Sequence, residues 1–190
     1  MDDKKKLAIV IAALFLVFIM SFVFYNGYKD RVDPITGELI SQAMEEATVR
    51  VNTPAPDFTM QDSEGKEVKL SDFKGKPVVL NFWTSWCSFC KEEMPYFETA
   101  YKEHGQDVQF IMLNVAKSER TEGEGQKYIQ SSNYTFPVFY ENEGKVMNLY
   151  GLRGFPATIF IDKDGNINER NIGIITQDKL NERIKALIAE

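Results

Sequence analysis

The chain of 190 residues contains two cysteines, Cys87 and Cys90, and only two residues separate them. A small secreted domain that depends on disulfides spreads more cysteines along its sequence to close long loops. A bridge between Cys87 and Cys90 would close no long loop, so the fold must be stabilised by its hydrophobic core. Hydrophobic residues make up 44% of the sequence, which is enough to build one. The cysteine pair is therefore left available for chemistry.

Apolar runs on both sides of this pair predict strands, and amphipathic segments between them predict helices. Residues 78–84 form a run of the kind buried on both faces of a sheet, and residues 108–115 form a second. The residues after Cys87 predict a helix that ends near His104. This alternation predicts an α/β fold with a mixed central sheet and helices packed on both faces. The other predicted elements are strands at residues 137–140, 157–161 and 166–175, and helices at residues 121–131 and 176–188.

Local patterns set the bounds of these later elements. Thr121 and Glu124 have the spacing of a capping box and predict that a helix opens at Thr121. Asp164-Gly165 predicts a hairpin turn between the last two strands. The final helix is predicted to bury one face, which carries Leu180, Ile184, Leu187 and Ile188.

The start of the chain predicts a membrane anchor. Residues 7–25 are apolar except for Ser21, and a helix of that length measures about 28 Å, close to the thickness of the bilayer core. Three lysines precede this run and predict that residues 1–6 stay in the cytoplasm. A cleaved signal peptide is disfavoured because residues 20–28 offer no small-residue cleavage motif. A buried core helix is disfavoured because the run is apolar all round and lies beside the lysines.

We therefore expect a cytoplasmic tail (1–6), one transmembrane helix (7–25), a polar linker (26–52) and a folded domain (53–190). The protein would be a single-pass protein of the cell membrane, with its catalytic domain outside the cytoplasm. Nucleic acid is not an expected partner, because the formal net charge is −6 and no basic patch suited to phosphates is found.

The position of the cysteine pair predicts redox chemistry. The pair stands where a buried strand ends and a helix begins, and the positive end of a helix dipole favours a thiolate there. We expect Cys87 to attack a disulfide and Cys90, one helical turn later, to resolve the mixed disulfide. A structural zinc site would need four ligands, but the chain has one histidine and no further cysteine. A purely structural disulfide is the other alternative, and so small a loop would add little stability.

Two segments resemble a known family. Residues 81–95, NFWTSWCSFCKEEMP, resemble the active-site segment of the thioredoxin superfamily, and more closely that of the membrane-anchored ResA/TlpA group. Residues 150–162, YGLRGFPATIFID, resemble the loop that carries a cis-proline in this family, and the strand that follows it. The resemblance covers about residues 53–190. It implies a thioredoxin-like fold and chemistry that needs neither a cofactor nor a metal.

The resemblance also implies roles for individual residues. Pro156 would follow a cis peptide bond beside the disulfide, and the backbone of Phe155 would bind the partner. Glu93 matches an active-site glutamate of the ResA-like group and would shuttle protons to and from the thiols, whereas a helix residue in solvent is the alternative. Trp86 would flank the site and contact the substrate. Asn81 departs from ordinary thioredoxins, which carry aspartate there, and an amide cannot accept the proton of Cys90.

These roles predict an extracytoplasmic thiol–disulfide oxidoreductase that reduces disulfides in exported proteins. The resemblance implies clients such as apocytochrome c or a methionine sulfoxide reductase, and an integral-membrane protein as the electron donor. A disulfide-donating oxidase would use the same two thiols. A thiol peroxidase is a weaker alternative, because Leu80 stands where that family has proline. A copper-binding assembly factor is also a weaker alternative, because the cysteine spacing is one residue shorter than in that family and no suitable histidine is present.

Overall fold

The computed structural model describes residue 5, residues 11–27 and residues 51–189. The chain divides into two units, Met1–Ala47 and Thr48–Glu190. Most of the predicted linker lies outside the described residues, and so do positions 1–4, 6 and 7–10 of the predicted tail and anchor.

In the first unit, residues 11–27 are helical and are called α1. Their large apolar side chains are exposed, with Phe18 at 69% and Phe24 at 75%. Within the described part of the chain, no helix combines the length and the apolar character that crossing a bilayer requires.

The second unit is built on a sheet of seven strands in the order β2-β1-β5-β4-β3-β6-β7. The central strands β3, β4 and β5 are parallel, whereas β1, β2, β6 and β7 join the sheet antiparallel to their neighbours. The strands are β1 Thr59–Gln61, β2 Glu67–Lys69, β3 Val78–Trp83, β4 Gln109–Val115, β5 Val138–Glu141, β6 Ala157–Ile161 and β7 Ile167–Ile172. The helices of this unit are α2 Ser88–His104, α3 Glu124–Gln130, α4 Val146–Leu149 and α5 Gln177–Ala189.

Two hydrophobic clusters cover the two faces of the sheet. On one face α2 and α5 pack against alternate side chains of β3 and β4, and Phe97 and Ile184 are fully buried there. On the other face α4 and a short 3-10 helix, Leu70–Phe73, cover the intervening side chains, among them Leu80 and Phe82. All six residues of β3 are buried because the strand lies at the centre of the sheet under both layers. The thioredoxin-like α/β fold with a mixed sheet is confirmed.

Most predicted elements are found within one or two residues of their expected bounds. Residues 157–161 match β6, and the predicted turn at Asp164-Gly165 is present, with Gly165 at a φ of 89°. The last strand stops at Ile172 instead of residue 175, because Gly173 adopts a φ of 91° that ends the extended chain. The hairpin of β1 and β2 and the helix α4 were not predicted.

Two local predictions are wrong. The helix α3 begins at Glu124, and Gly123 precedes it with a left-handed φ of 79°, so Thr121 does not cap it. The Glu124 carboxylate accepts the Thr121 N–H at 3.3 Å, but it does so within a turn. Ile188 is 41% exposed although Leu180, Ile184 and Leu187 are buried. At 100° per residue Leu187 lies about 20° from Leu180 around α5, whereas Ile188 lies about 80° away.

Candidate active site

The cysteine pair follows β3, one of the central strands of the sheet. A turn follows β3, in which the Cys87 N–H donates to the Thr84 carbonyl at 3.3 Å, and α2 then begins at Ser88. Cys87 is the N-cap of α2 and Cys90 lies in its first turn. The two form a disulfide with Cα atoms 5.2 Å apart.

The helix terminus provides the electrostatics that a reactive thiol needs. The Cys90 N–H points at the Cys87 sulfur, with N and Sγ 3.1 Å apart. A free N–H and the positive end of the helix dipole both stabilise negative charge on that sulfur. Cys90 has no exposed surface, whereas Cys87 retains 5%. The structure therefore brings Cys87 closer to solvent than Cys90, in the order that the sequence predicts for attack and resolution.

Apolar side chains surround the pair at the surface. Trp86 is 41% exposed and Phe89, between the cysteines, is 58% exposed. The Trp86 ring meets the ring of Phe155 edge-on at 6.0 Å between centroids. The Phe155–Pro156 peptide bond is cis, as the resemblance implies. Trp86 and Phe155, which are 69 positions apart in the sequence, thus form one apolar surface, called here the docking patch.

Glu93 lies one helical turn after Cys90 and is 1% exposed, so it is not a solvated helix residue like its neighbour Glu92. Its Oε1 accepts from Asn81 Nδ2 at 2.8 Å and its Oε2 accepts from the Ile175 N–H at 3.0 Å. Burial raises the pKa of Glu93 to about 7, although both hydrogen bonds act to lower it. A carboxyl group that titrates near neutrality can both take and return a proton.

The sheet explains why Asn81 faces Glu93. Asn81 lies in β3 opposite Thr158 of β6, and its Nδ2 also donates to Thr158 Oγ1 at 3.1 Å. Asn81 is fully buried, and the amide holds the Glu93 carboxylate without competing for its proton. Among the described residues, no group of three His, Cys, Asp or Glu side chains is placed to hold a metal ion.

The structure adds residues that the sequence analysis missed. Glu119 binds the turn before Cys87 through Ser85, and Asn114 of β4 binds Glu119. Lys91 lies over the ring of Tyr128, 5.0 Å from its centroid. Ser85 and Glu119 are 34 positions apart and follow no motif, so the sequence held no signal that would have found this contact.

Comparisons with known proteins agree with this geometry. The sequence model of the AhpC/TSA family matches residues 51–170. The thiol-disulfide oxidoreductase ResA of Bacillus thuringiensis subsp. konkukian is 31% identical over 188 residues, which are 98% of this chain and 99% of the relative. ResA of Geobacillus thermodenitrificans is 29% identical, over 97% of this chain and 98% of the relative.

Solved structures show the same fold. The exposed lipoprotein thioredoxin Etrx1 of Streptococcus pneumoniae superposes with a TM-score of 0.62 at 33% identity, covering 70% of this chain and 100% of that chain. StoA of Bacillus subtilis superposes with a TM-score of 0.60 at 30% identity, covering 68% of this chain and 96% of that chain.

Proposed function

Because the chain belongs to the AhpC/TSA family and is a thiol–disulfide oxidoreductase of the ResA type, we propose that it reduces disulfides of exported proteins outside the cytoplasm. The observation that carries the disulfide-exchange chemistry of this proposal is the position of Cys87, which is the N-cap of α2 and whose sulfur accepts the Cys90 N–H. A thiolate is the attacking species in disulfide exchange, and this site stabilises one.

The reaction proceeds through two successive thiol–disulfide exchanges. In the reduced protein the Cys87 thiolate attacks one sulfur of the partner's disulfide, forms a mixed disulfide and releases the other sulfur as a thiolate. The Cys90 thiolate then attacks the Cys87 sulfur and releases the second sulfur of the partner. The partner gains two electrons and takes up two protons, and the protein is left with the Cys87–Cys90 disulfide that the structure contains.

Glu93 accepts the proton that Cys90 releases before the second exchange. Cys90 must lose its proton before it can attack, and it is fully buried, so bulk water does not reach it directly. Glu93 follows it by one helical turn, and its pKa of about 7 matches the ambient pH at which exchange would occur. The carboxylate takes the Cys90 proton during resolution and returns it when the pair is reduced again.

The docking patch binds the partner beside the reacting sulfurs. Trp86 and Phe155 offer exposed or half-buried rings, and aromatic side chains are prominent among residues that dominate binding energy at interfaces. The backbone around Phe155 and the cis Pro156 lies next to this surface and provides polar contacts to an extended segment of the client.

The same proposal places the protein at the cell membrane, with residues 7–25 as anchor and residues 1–6 in the cytoplasm. The apolar side chains of residues 11–27 are exposed in the structure, and they would bury that surface in lipid. One structural relative is described as an exposed lipoprotein, which favours an extracytoplasmic site of action. Clients would be apocytochrome c or another exported protein such as a methionine sulfoxide reductase, and an integral-membrane donor would return electrons to the pair.

The client can be identified by trapping. We expect the variant Cys90→Ser, expressed in the native host, to accumulate mixed disulfides through Cys87 in the membrane fraction, where mass spectrometry names the partner. The matched control Cys87→Ser removes the attacking sulfur and should trap nothing. Equal amounts of adducts in both variants would contradict the assignment of Cys87.

The direction of transfer needs a separate measurement, because an oxidase would use the same thiols. Equilibration of the protein with mixtures of reduced and oxidised glutathione gives the reduction potential of the pair. In an equimolar mixture of reduced and oxidised glutathione, the cysteine pair of a reductase passes its electrons to oxidised glutathione and is found largely as the disulfide. A pair that remains reduced there would show that the protein donates disulfides instead.

A further inference from the structure

The turn before Cys87 is held by a segment from another part of the sheet. This turn, residues 84–87, has Ser85 and Trp86 at its two central positions and ends at Cys87, the N-cap of α2. Residues 118–120, which follow β4, contact both positions. The Ser118 carbonyl accepts the Trp86 Nε1–H at 2.8 Å, and the Arg120 guanidinium lies 5.8 Å from the Trp86 ring.

The central contact of this segment is made by the Glu119 carboxylate. Its Oε1 accepts the Ser85 N–H at 2.7 Å, and its Oε2 accepts the Ser85 hydroxyl at 2.6 Å. Hydrogen bonds to an ionised carboxylate are shorter and stronger than those between neutral groups. Glu119 is half-buried, so these bonds are partly shielded from competing water.

A second contact ties the same carboxylate to the sheet. Asn114 Nδ2 donates to Glu119 Oε1 at 2.6 Å and also lies 3.4 Å from the Trp83 carbonyl. Asn114 is fully buried in β4, directly opposite Trp83 of β3. Its amide packs against Gly125 of α3 so closely that a Cβ added at Gly125 would overlap it. The amide therefore has little freedom to move. Glu119 therefore connects the turn to a fixed point of the core.

From this geometry we propose that Glu119 is a positioning residue for disulfide exchange, which fixes the turn and thereby the Cys87 sulfur and the Trp86 ring. The inference rests on the proposed function, since it concerns the same redox pair. Glu119 touches neither cysteine and acts through Ser85. Exchange requires the attacking sulfur to approach the partner's disulfide in line, and a misplacement of about 1 Å in such a step costs as much as a hundredfold in rate.

The test compares Glu119→Ala and Glu119→Gln with the matched control Glu122→Ala, an exposed glutamate of the same loop. Each full-length variant is reduced, and its second-order rate of insulin disulfide reduction is measured together with its thermal stability. We expect Glu119→Ala to lower the rate about tenfold. Glu119→Gln keeps an oxygen that can accept from Ser85 and should recover most of the rate, and Glu122→Ala should stay within about twofold of the unchanged protein.

A second readout separates positioning from charge and from stability. Glu119→Ala and Glu119→Gln remove the same negative charge, so a difference between them in the pH of half-maximal Cys87 alkylation by iodoacetamide reports geometry alone. We expect Glu119→Ala to require a pH about half a unit higher than Glu119→Gln, because the displaced turn weakens the hydrogen bond from the Cys90 N–H. A role confined to stability would leave this pH unchanged in the folded variants.

The inference is overturned if Glu119→Ala is folded and reduces insulin within about twofold of the unchanged protein. If Glu119→Ala does not fold, Glu119→Asp decides, because it keeps the charge but its side chain is one methylene too short to hold both contacts with Ser85. A lower rate of insulin reduction in Glu119→Asp than in Glu119→Gln supports the positioning role, and rates within about twofold of the unchanged protein in both variants overturn it. Failure of the proposed function looks different, because the unchanged protein would then reduce no insulin and Cys87→Ser would make no difference.

Discussion

Replacing Glu93 by glutamine should change how folding stability depends on pH. Burial raises the pKa of Glu93 to about 7 from its ordinary value of 4.5. Between pH 4.5 and about 7, the folded protein therefore keeps a proton on this carboxyl group that the unfolded chain has lost. The free energy of unfolding therefore falls as the pH rises from 4.5 to about 7. At about 1.4 kcal/mol for each tenfold change in proton affinity, this loss amounts to about 3 kcal/mol.

The local hydrogen bonds allow glutamine to take the place of Glu93. The amide oxygen can accept the Ile175 N–H, as Glu93 Oε2 does at 3.0 Å. The amide nitrogen needs an acceptor, and Asn81 Oδ1 is buried and has no hydrogen-bond partner among the described residues. Rotation of the Asn81 amide would bring that oxygen to the new donor. Glu93→Gln should therefore remove the titration, and the rotation exchanges an unpaired Asn81 Oδ1 for an unpaired Nδ2, so the number of unpaired buried polar atoms does not rise.

The assay is urea unfolding of the oxidised full-length protein at pH 5, 6, 7 and 8, followed by circular dichroism. The matched control is Glu92→Gln, which changes the exposed neighbour on the same helix. Relative to the unchanged protein, we expect the free energy of unfolding of Glu93→Gln to rise by about 2.5 kcal/mol between pH 5 and pH 8, with most of the rise reached near pH 7. The control should gain less than about 0.5 kcal/mol. Parallel stability curves for Glu93→Gln and the unchanged protein would refute the raised pKa and with it the proton-transfer role of Glu93.

Two further changes test the core and the docking patch. Leu180→Ala should lower the free energy of unfolding by about 2–5 kcal/mol because it leaves a cavity under α5, whereas Ile188→Ala, at a 41% exposed position of the same helix, should cost less than about 1 kcal/mol in the same urea assay. Trp86→Ala should raise KM for a client disulfide at least about fivefold while Trp86→Phe keeps most of the affinity, as stopped-flow exchange would measure. Equal KM values for the unchanged protein and Trp86→Ala would remove Trp86 from the docking patch.

The central strands could be predicted from the sequence because burial on both faces leaves a continuous run of apolar residues. The strands β3, β4 and β6 are such runs, and all three were located to within one residue. The strands β1 and β2 have three residues each, and Met60 is the only side chain they bury between them. So short a segment, with one buried side chain, has no periodicity that separates it from a loop.

The candidate site likewise has features that the sequence could predict and features that it could not. Cys87 and Cys90 were predictable because one local pattern, a strand followed by a helix, determines their environment. The cis bond before Pro156 was predictable only from the resemblance, since the cis form is the minority state of a peptide bond before proline. The proton-transfer role of Glu93 was likewise predictable only from the resemblance, and its two donors were not predictable, because Asn81 and the Ile175 N–H come from a strand and a loop that only the folded sheet brings to α2.

The two glutamates beside the redox pair show why residue type alone could not assign these roles. Glu119 accepts three hydrogen bonds, from Ser85 and Asn114, and remains half-buried, so it is suited to hold a turn in place. Glu93 accepts two in a nearly closed environment, and burial outweighs them, so it is suited to exchange a proton near neutral pH. The difference lies in the balance of donors and solvent around each carboxylate. If that balance sets their roles, Glu93→Gln should alter the pH dependence of folding stability while leaving the geometry of Cys87 intact, and Glu119→Ala should displace the Cys87 sulfur.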